Sequence, residues 1–316
     1  TANGDRVLLS DSRFKDQIRH QAPGEMKVVM QTMDVIKEIA GQLKQLDVKT
    51  VLVEGEFISA TQFEALKQAC PDLNFILNTE LVETVRNIKD EIELATLQKA
   101  IDISAQSFKE ILPLIEPGVS ERAIGAKLDY LFKMNGGDGP SFETIIASGY
   151  RGSWAHGVAS DKKIQKGELI VIDFGSFYHG YTADITRTVA LGQVEPELEK
   201  IYYIVLEAQK RGIAAAIAGN TGKDIDQAGR NYIKEQGYGE YFGHGIGHGI
   251  GLEVHELCTP AMPYSKEVMK NNMAITVEPG IYLPDRGGVR IEDDVLIKDN
   301  HPYVMSQLPK DELLIL

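Results

Sequence analysis

Residues 169–188 read LIVIDFGSFYHGYTADITRT, two apolar stretches around a short polar turn near residues 178–180. The pattern predicts a hairpin of two buried strands. With the turn centred between Tyr178 and His179, Asp173 faces Asp184, at a Cβ separation of about 5 Å. Two carboxylates so placed repel each other unless a cation lies between them, and hard divalent cations bind carboxylate oxygens. The stretch is either a metal-binding hairpin or a strand that ends at Asp173 beside a solvated Asp184.

A second stretch, residues 275–292, repeats this arrangement in ITVEPGIYLPDRGGVRIE. Its turn lies near Asp285, so Glu278 is expected opposite Glu292. Ionised carboxylates are seldom buried without partners. Two hairpins that each oppose two acids in apolar strands therefore favour a metal site over a solvated face.

A third stretch, residues 243–256, reads GHGIGHGIGLEVHE. Glycines at alternate positions let the backbone approach another group closely. The stretch carries His244, His248 and His255, and histidine is both the commonest metal ligand and a proton carrier near neutral pH. The alternative is a flexible glycine-rich loop with surface histidines. His156, in the sequence SWAHG before the first hairpin, would by itself be an ordinary loop histidine.

Composition excludes several other classes of protein. The 316 residues include 33 Lys and Arg against 46 Asp and Glu, a net charge of −13, which argues against non-specific nucleic-acid binding. Cys70 and Cys258 are too few for a disulfide framework or a CxxC zinc site. Phosphate-binding GxxxxGK[ST], nucleophile-elbow GxSxG and HExxH motifs are missing from the sequence. No apolar run approaches the roughly 18 residues of a membrane helix, and the polar first residues do not form a signal peptide.

The spacing of apolar residues predicts two regions. In residues 1–84, strands at 7–9, 50–53 and 73–77 alternate with helices at 25–46 and 59–69, which indicates a small α/β domain. In residues 85–316, helices are expected at 91–112, 121–134, 196–217 and 223–235, and strands at 144–147, 169–174, 182–191, 274–282, 289–297 and 313–316. Two helices followed by strands occur twice, which suggests two related halves. Since the chain does not begin with Met, we expect that residues are missing upstream.

Four acids on two hairpins with a glycine-rich histidine segment resemble the dinuclear metallopeptidases of the pita-bread fold, above all the Xaa-Pro aminopeptidase (aminopeptidase P) and prolidase branch. The resemblance implies an α+β, creatinase/aminopeptidase-like catalytic domain over 85–316. Residues 1–84 resemble the N-terminal creatinase/prolidase-like α/β domain of that branch, with fewer strands at its start than usual. Methionine aminopeptidases share the ligands but usually lack this domain, creatinase has lost the ligands, and some relatives are metal-free binding proteins.

The resemblance also implies roles for individual residues. The metal ligands would be Asp173, Asp184, His248, Glu278 and Glu292. They would hold two divalent ions, with manganese favoured by the oxygen-rich set and cobalt or zinc as alternatives. A hydroxide bridging the ions would attack the carbonyl before proline, and Glu278 would carry the proton to the departing nitrogen.

Other residues would act on the substrate. His156 and His255 are expected to be catalytic and substrate-binding, and His244 to be substrate-binding. Arg290 is expected either to contact a ligand carboxylate or to meet a substrate carboxylate. The expected partners are peptides with proline second and a second copy of the chain in a homodimer, without nucleic acid or membrane, in the cytoplasm.

Substrate length is the remaining question. Strict Xaa-Pro dipeptidases resemble one another in an arginine a few residues after the second histidine, which can clamp the free carboxylate of proline. Residues 255–263 read HELCTPAMP and contain neither Arg nor Lys. We therefore expect an aminopeptidase that accepts longer peptides, with a strict dipeptidase (prolidase) as the alternative.

Overall fold

The computed structural model describes residues 1–30, 34–299 and 301–316, except for the side chains of residues 257–260. The chain divides into two compact units, Thr1–Val82 and Glu83–Leu316, and the boundary falls within helix α4 (Leu81–Asn87). Among the described residues, no helix has the length and apolar character needed to cross a membrane.

The first unit consists of parallel strand pairs and helices. Its strands are β1 (Val7–Ser10), β2 (Lys27–Met30), β3 (Thr50–Glu54) and β4 (Asn74–Asn78), and its helices are α1 (Lys15–Gln21), α2 (Val35–Gln45) and α3 (Ala60–Ala69). Strand β1 pairs with β2 and β3 with β4, both in parallel. The connecting helices satisfy the crossover that a parallel pair requires, which confirms the predicted α/β character.

The helix predicted over 25–46 is wrong in its first part. Residues Lys27–Met30 form strand β2, and the helix starts at Val35, where the Asp34 side chain accepts a hydrogen bond from the Lys37 N–H. The predicted residues 31–33 lie outside the described part of the chain. A short apolar run is compatible with either periodicity, and here the pairing with β1 decides for a strand.

The described residues of the second unit include four long helices, of which three begin at a capping side chain and α7 begins at a proline. They are α5 (Glu91–Ile111), α6 (Glu121–Met134), α7 (Pro196–Ala215) and α8 (Gly222–Glu235). The side chains of Asp90, Ser120 and Thr221 each accept a hydrogen bond from a first-turn N–H of the following helix. Its strands are β5 (Gly139–Pro140), β6 (Ile145–Ser148), β7 (Glu168–Phe174), β8 (Ser176–Tyr178), β9 (Tyr181–Thr182), β10 (Ile185–Leu191), β11 (Gly247–Gly249), β12 (Glu256–Ala261), β13 (Ala274–Val277), β14 (Gly280–Leu283), β15 (Gly287–Arg290), β16 (Asp293–Lys298), β17 (His301–Val304) and β18 (Leu314–Ile315).

Each half of this unit packs a helix pair against a sheet. One sheet has the strand order β18-β10-β7-β6, and the other has the order β12-β11-β13-β16-β17. Leu97 of α5 and Phe132 of α6 share a buried core with Ile172 of β7. Val205 of α7 shares the other core with Val277 of β13. The predicted repetition of helices and strands is thus present as two helix-on-sheet layers.

The pairing of the first hairpin differs from the prediction. Asp173 pairs with Thr186, and the two-residue turn is His179-Gly180, whose φ angles are both positive, 47° and 93°. Two positive φ angles suit the twist of a tight hairpin. The predicted register was therefore wrong by two residues, and Asp184 lies between β9 and β10. Because side chains alternate along a strand, this two-residue offset keeps Asp184 on the same face as Asp173.

The register predicted for the second hairpin is confirmed. Val277 pairs with Asp293 on one side of the two acids, and Gly280 pairs with Arg290 on the other. Glu278 and Glu292 thus occupy opposing positions, each between two paired strand segments.

A buried ion pair fixes the segment that follows β6. Glu121, at the start of α6, is fully buried, and its carboxylate accepts hydrogen bonds from Ser148 and Ser160 and forms an ion pair with Arg151. His156 follows Arg151 by five residues. The N-terminus of α6 therefore anchors the loop that carries this histidine.

Glu121→Ala is expected to lower the free energy of unfolding by about 3–5 kcal/mol, because Arg151 would remain buried without its counter-charge. Urea denaturation followed by circular dichroism measures this change. Arg122→Ala is the matched control. Arg122 is the next residue and forms an exposed pair with Asp161, so its loss should leave the midpoint nearly unchanged. Equal effects of the two variants would contradict the assigned role of Glu121.

Candidate metal centre

The five predicted metal ligands come from different strand ends but line one cavity of about 620 Å³. Asp173 lies near the end of β7 and His248 in the middle of β11, while Asp184, Glu278 and Glu292 lie in the short breaks between paired strands. At such breaks a side chain can point into the cavity without interrupting a sheet. The same cavity is lined by the other predicted site residues, His156, His244, His255 and Arg290.

Three of the five residues form a compact group. One ligand atom from each of Asp184, His248 and Glu292 lies within 4.8 Å of the others. The Nε2 atom of His248 is 3.5 Å from Oδ2 of Asp184 and 3.2 Å from Oε1 of Glu278. These separations suit oxygen and nitrogen ligands that surround a cation.

The electrostatics of this group call for positive charge. Burial, followed by the charge of Asp173, raises the pKa of Asp184 to about 7. Burial and the charges of Asp184, Glu278 and Asp173 raise the pKa of Glu292 well above its ordinary value. Oδ1 of Asp173 and Oε1 of Glu292 are buried without a hydrogen-bond partner in the described structure. Unpaired buried oxygens are costly, so these residues fit divalent metal ions.

Two buried threonines, Thr186 and Thr276, orient ligand carboxylates. Thr186 donates a hydrogen bond to Oε2 of Glu292 at 2.6 Å. Thr276 donates to Oε1 of Glu278 at 3.3 Å and accepts from the backbone N–H of His248 at 3.0 Å. The ring nitrogen Nδ1 of His248 is 3.1 Å from the carbonyl oxygen of Gly249, which leaves Nε2 toward the carboxylates.

Arg290 contacts a predicted ligand. Its Nη2 donates to Oδ2 of Asp173 at 2.5 Å, and its Nε donates to Thr186 at 3.0 Å. Its Nη1 donates to the Tyr282 hydroxyl and to the carbonyl oxygen of Ala155. Arg290 thus contacts the carboxylate of a proposed ligand, which is the first of the two roles predicted for it. Contact with a substrate carboxylate stays a prediction.

The histidines divide into one with both ring nitrogens engaged and two at the open side. His244 has Nδ1 2.7 Å from the Gly245 carbonyl oxygen and Nε2 2.8 Å from the Tyr282 hydroxyl. Burial lowers the pKa of His244, so its ring is neutral near pH 7. His156 and His255 are exposed, and the His255 ring centroid is 4.3 Å from that of His248. The two exposed rings are therefore accessible to a ligand in the cavity.

Four buried or cavity-lining residues were missed by the sequence analysis: Thr186, Thr276, Tyr282 and Asp294. Oδ2 of Asp294 accepts from the backbone N–H of Asp184 at 3.3 Å. Thr186, Thr276 and Asp294 each stand two positions from a predicted ligand in the chain. Since alternate strand residues share a face, a period of two counted from each acid would have found these three residues.

Comparison with known proteins agrees with this geometry. The profile described as metallopeptidase family M24 matches residues 95–299, and that of the creatinase/prolidase N-terminal domain matches residues 1–88. An Xaa-Pro dipeptidase from Pyrococcus furiosus is 43% identical, over 98% of this chain and 87% of that protein.

Two solved structures are similar over nearly the whole chain. The Xaa-Pro dipeptidase from Bacillus anthracis has a TM-score of 0.93 and 43% identity, and the alignment covers 98% of this chain and 86% of that one. The X-Pro aminopeptidase from Thermotoga maritima has a TM-score of 0.90 and 40% identity, over 99% and 88%. The chain therefore belongs to metallopeptidase family M24 and is a peptidase with a pita-bread catalytic domain and a creatinase/prolidase N-terminal domain.

Proposed function

We propose that this peptidase hydrolyses the Xaa-Pro bond at the N-terminus of peptides, using two divalent metal ions. The observation that carries the proposal is the convergence of Asp173, Asp184, His248, Glu278 and Glu292 on one cavity. Relatives named Xaa-Pro dipeptidase and X-Pro aminopeptidase, at 40% identity or above, support the choice of bond. Residues 1–84 and 85–316 are taken as the two domains.

The five residues would hold the ions with four carboxylates and one imidazole. An oxygen-rich set of this kind favours Mn²⁺, with Co²⁺ or Zn²⁺ as alternatives. When bound, such ions polarise the scissile carbonyl and lower the pKa of water toward neutrality.

The chain's own residues complete the chemistry. Glu278, whose Oε1 is oriented by Thr276, is assigned to carry a proton to the departing proline nitrogen. His255 and His156, exposed at the cavity, are assigned to donate to the substrate carbonyl or to the oxyanion that develops there. His244 is assigned to substrate binding through its neutral ring. Its Nε2 would exchange the hydrogen bond with the Tyr282 hydroxyl for one with the substrate. Arg290 is assigned to keep Asp173 in position.

The cations around the cavity bear on the length of the substrate. Within the described lining, Arg290 is the one guanidinium, and Asp173, Thr186, Tyr282 and Ala155 accept its hydrogen bonds. A dipeptide's free carboxylate would therefore have to rely on histidines. This supports acceptance of longer peptides. The names of the Pyrococcus and Bacillus relatives favour the alternative, a strict dipeptidase. Homodimer formation and a cytoplasmic location are also part of the proposal.

Removal of divalent ions is expected to abolish peptidase activity, because the ligands alone provide no electrophile for the carbonyl. The measurement is hydrolysis of an Xaa-Pro-Yaa peptide after dialysis against a chelator, with elemental analysis of the same sample. Added Mn²⁺ or Co²⁺ should restore activity. Full turnover by protein shown to be metal-free would contradict the metal mechanism and favour another use of the cavity.

Substitution of a metal ligand and substitution of a substrate-binding residue should have different effects on metal content. Asp184→Asn is expected to reduce bound metal and to lower kcat by at least a hundredfold. His255→Ala is expected to keep its metal and to lower kcat/KM, because His255 lies outside the proposed ligand set. Metal content by elemental analysis and kinetics on the same preparations distinguish the two. Loss of metal from the His255→Ala variant would show that the division is wrong.

The tripeptide Xaa-Pro-Yaa is expected to be cleaved at least as well as the matching dipeptide Xaa-Pro, since the described lining offers no free arginine for the dipeptide's carboxylate. The ratio of kcat/KM for the two substrates measures this. A tenfold preference for the dipeptide, about 1.4 kcal/mol in the transition state, would reveal a carboxylate clamp and make prolidase the better description.

A further inference from the structure

The loop that carries His255 gains little support from this side chain: within the described structure His255 forms no side-chain hydrogen bond, and its ring packs against the ring of His248. Residues 250–255 connect β11 to β12, and Val254 and His255 from this loop line the cavity. Leu252 is exposed, and the Glu253 side chain is 42% exposed. The position of His255 therefore depends on what holds the loop backbone.

Glu256, the residue after His255, turns away from the cavity and into the protein. Its side chain is 1% exposed. Its Oε1 accepts hydrogen bonds from the backbone N–H groups of Leu252 at 2.9 Å and Glu253 at 3.3 Å. One carboxylate oxygen thus closes the turn on which His255 is carried.

Two cations from the chain before α5 surround this carboxylate. Arg86 donates to the same Oε1 at 2.9 Å, and Lys89 is 2% exposed with a buried Nζ that has no hydrogen-bond partner in the described structure. A Cβ added to Gly251 would lie 2.8 Å from Oε1 of Glu256 and 3.1 Å from Cε of Lys89. A side chain at residue 251 would therefore displace the Glu256 carboxylate and the end of the Lys89 side chain.

The opposite side of the loop is tied to the first hairpin. The carbonyl oxygen of Gly251 accepts from the backbone N–H of Thr182 at 2.9 Å and from its hydroxyl at 3.0 Å. Thr182 precedes Asp184 by two residues. The loop is thus fixed between the chain that leads to a proposed metal ligand and the buried Arg86–Glu256 pair.

We propose that Glu256, held by Arg86 and flanked by Lys89, is a positioning residue that sets His255 against the substrate in the hydrolysis proposed above. It acts through the loop backbone and does not touch the substrate. Truncation of Glu256 would release two backbone N–H groups and leave Arg86 with only the more distant, part-exposed Glu253 carboxylate at 3.5 Å among the described residues. The loop, and with it His255, would then sample several positions while the metal ligands stay in place.

The test uses the metal-loaded full-length protein. Glu256→Ala is expected to lower kcat at least tenfold, to keep the metal content of the parent, and to speed hydrogen exchange of the peptide that covers residues 250–256. Glu256→Gln retains an oxygen that accepts from the Leu252 and Glu253 amides, so it should restore most of the exchange protection and most of kcat. Leu252→Ala is the matched control, because the Leu252 side chain is exposed and lies in the same loop, and it should change kcat by less than twofold.

Dependence on His255 is tested by combining substitutions. In a His255→Ala background, Glu256→Ala should change kcat by less than twofold, because the group that it positions is missing. A full tenfold loss in that background, or unchanged exchange in the Glu256→Ala variant, would overturn the proposal. If the Glu256→Ala variant does not fold, the Arg86→Leu variant takes its place, and the same changes in kcat and hydrogen exchange are expected at unchanged metal content. Hydrogen exchange reports on the loop even if the parent protein does not cleave Xaa-Pro bonds, so failure of this proposal is distinguishable from failure of the proposed function.

Discussion

Mutual repulsion among buried carboxylates is the constraint on which the catalytic unit depends. Asp173, Asp184 and Glu292 are each at least nine-tenths buried and line the same cavity. Folding brings these charges out of water, which is unfavourable unless cations or hydrogen bonds compensate. Arg290 compensates part of this charge through Asp173. Divalent metal ions would compensate the rest, so the residues that make the unit hard to fold without metal are those that would bind it.

The architecture places these charged side chains where the backbone groups are already hydrogen-bonded. Two sheets, each covered by its own helix pair, border the cavity; Asp173 lies near the end of a strand, and the other three acids occupy breaks between paired segments. Two buried threonines, Thr186 and Thr276, each donate to one carboxylate. The correspondence between the halves explains how a chain with two similar hairpins can present four acids to one site.

Much of this arrangement was predictable from the sequence because, in both hairpins, two apolar stretches flank a recognisable turn. The family and the opposition of Glu278 and Glu292 followed directly. The first hairpin was misread by two residues, because the turn was centred on Tyr178-His179 and not on His179-Gly180, where the glycine favours positive φ. The engagement of His244 by Tyr282 was not predicted, and that of Arg290 by Asp173 was one of two alternatives, because both contacts join distant parts of the chain. Likewise, the helix expected from residue 25 was displaced by strand pairing, a tertiary effect that periodicity does not report.

The most direct test of the account is anomalous diffraction from crystals of the full-length protein grown with Mn²⁺, measured at the manganese absorption edge. The account predicts two anomalous peaks in the cavity, in contact with Asp173, Asp184, His248, Glu278 and Glu292. Peaks that lie elsewhere, or a cavity without metal at saturating Mn²⁺, would contradict the claim that these buried carboxylates are a dinuclear metal site.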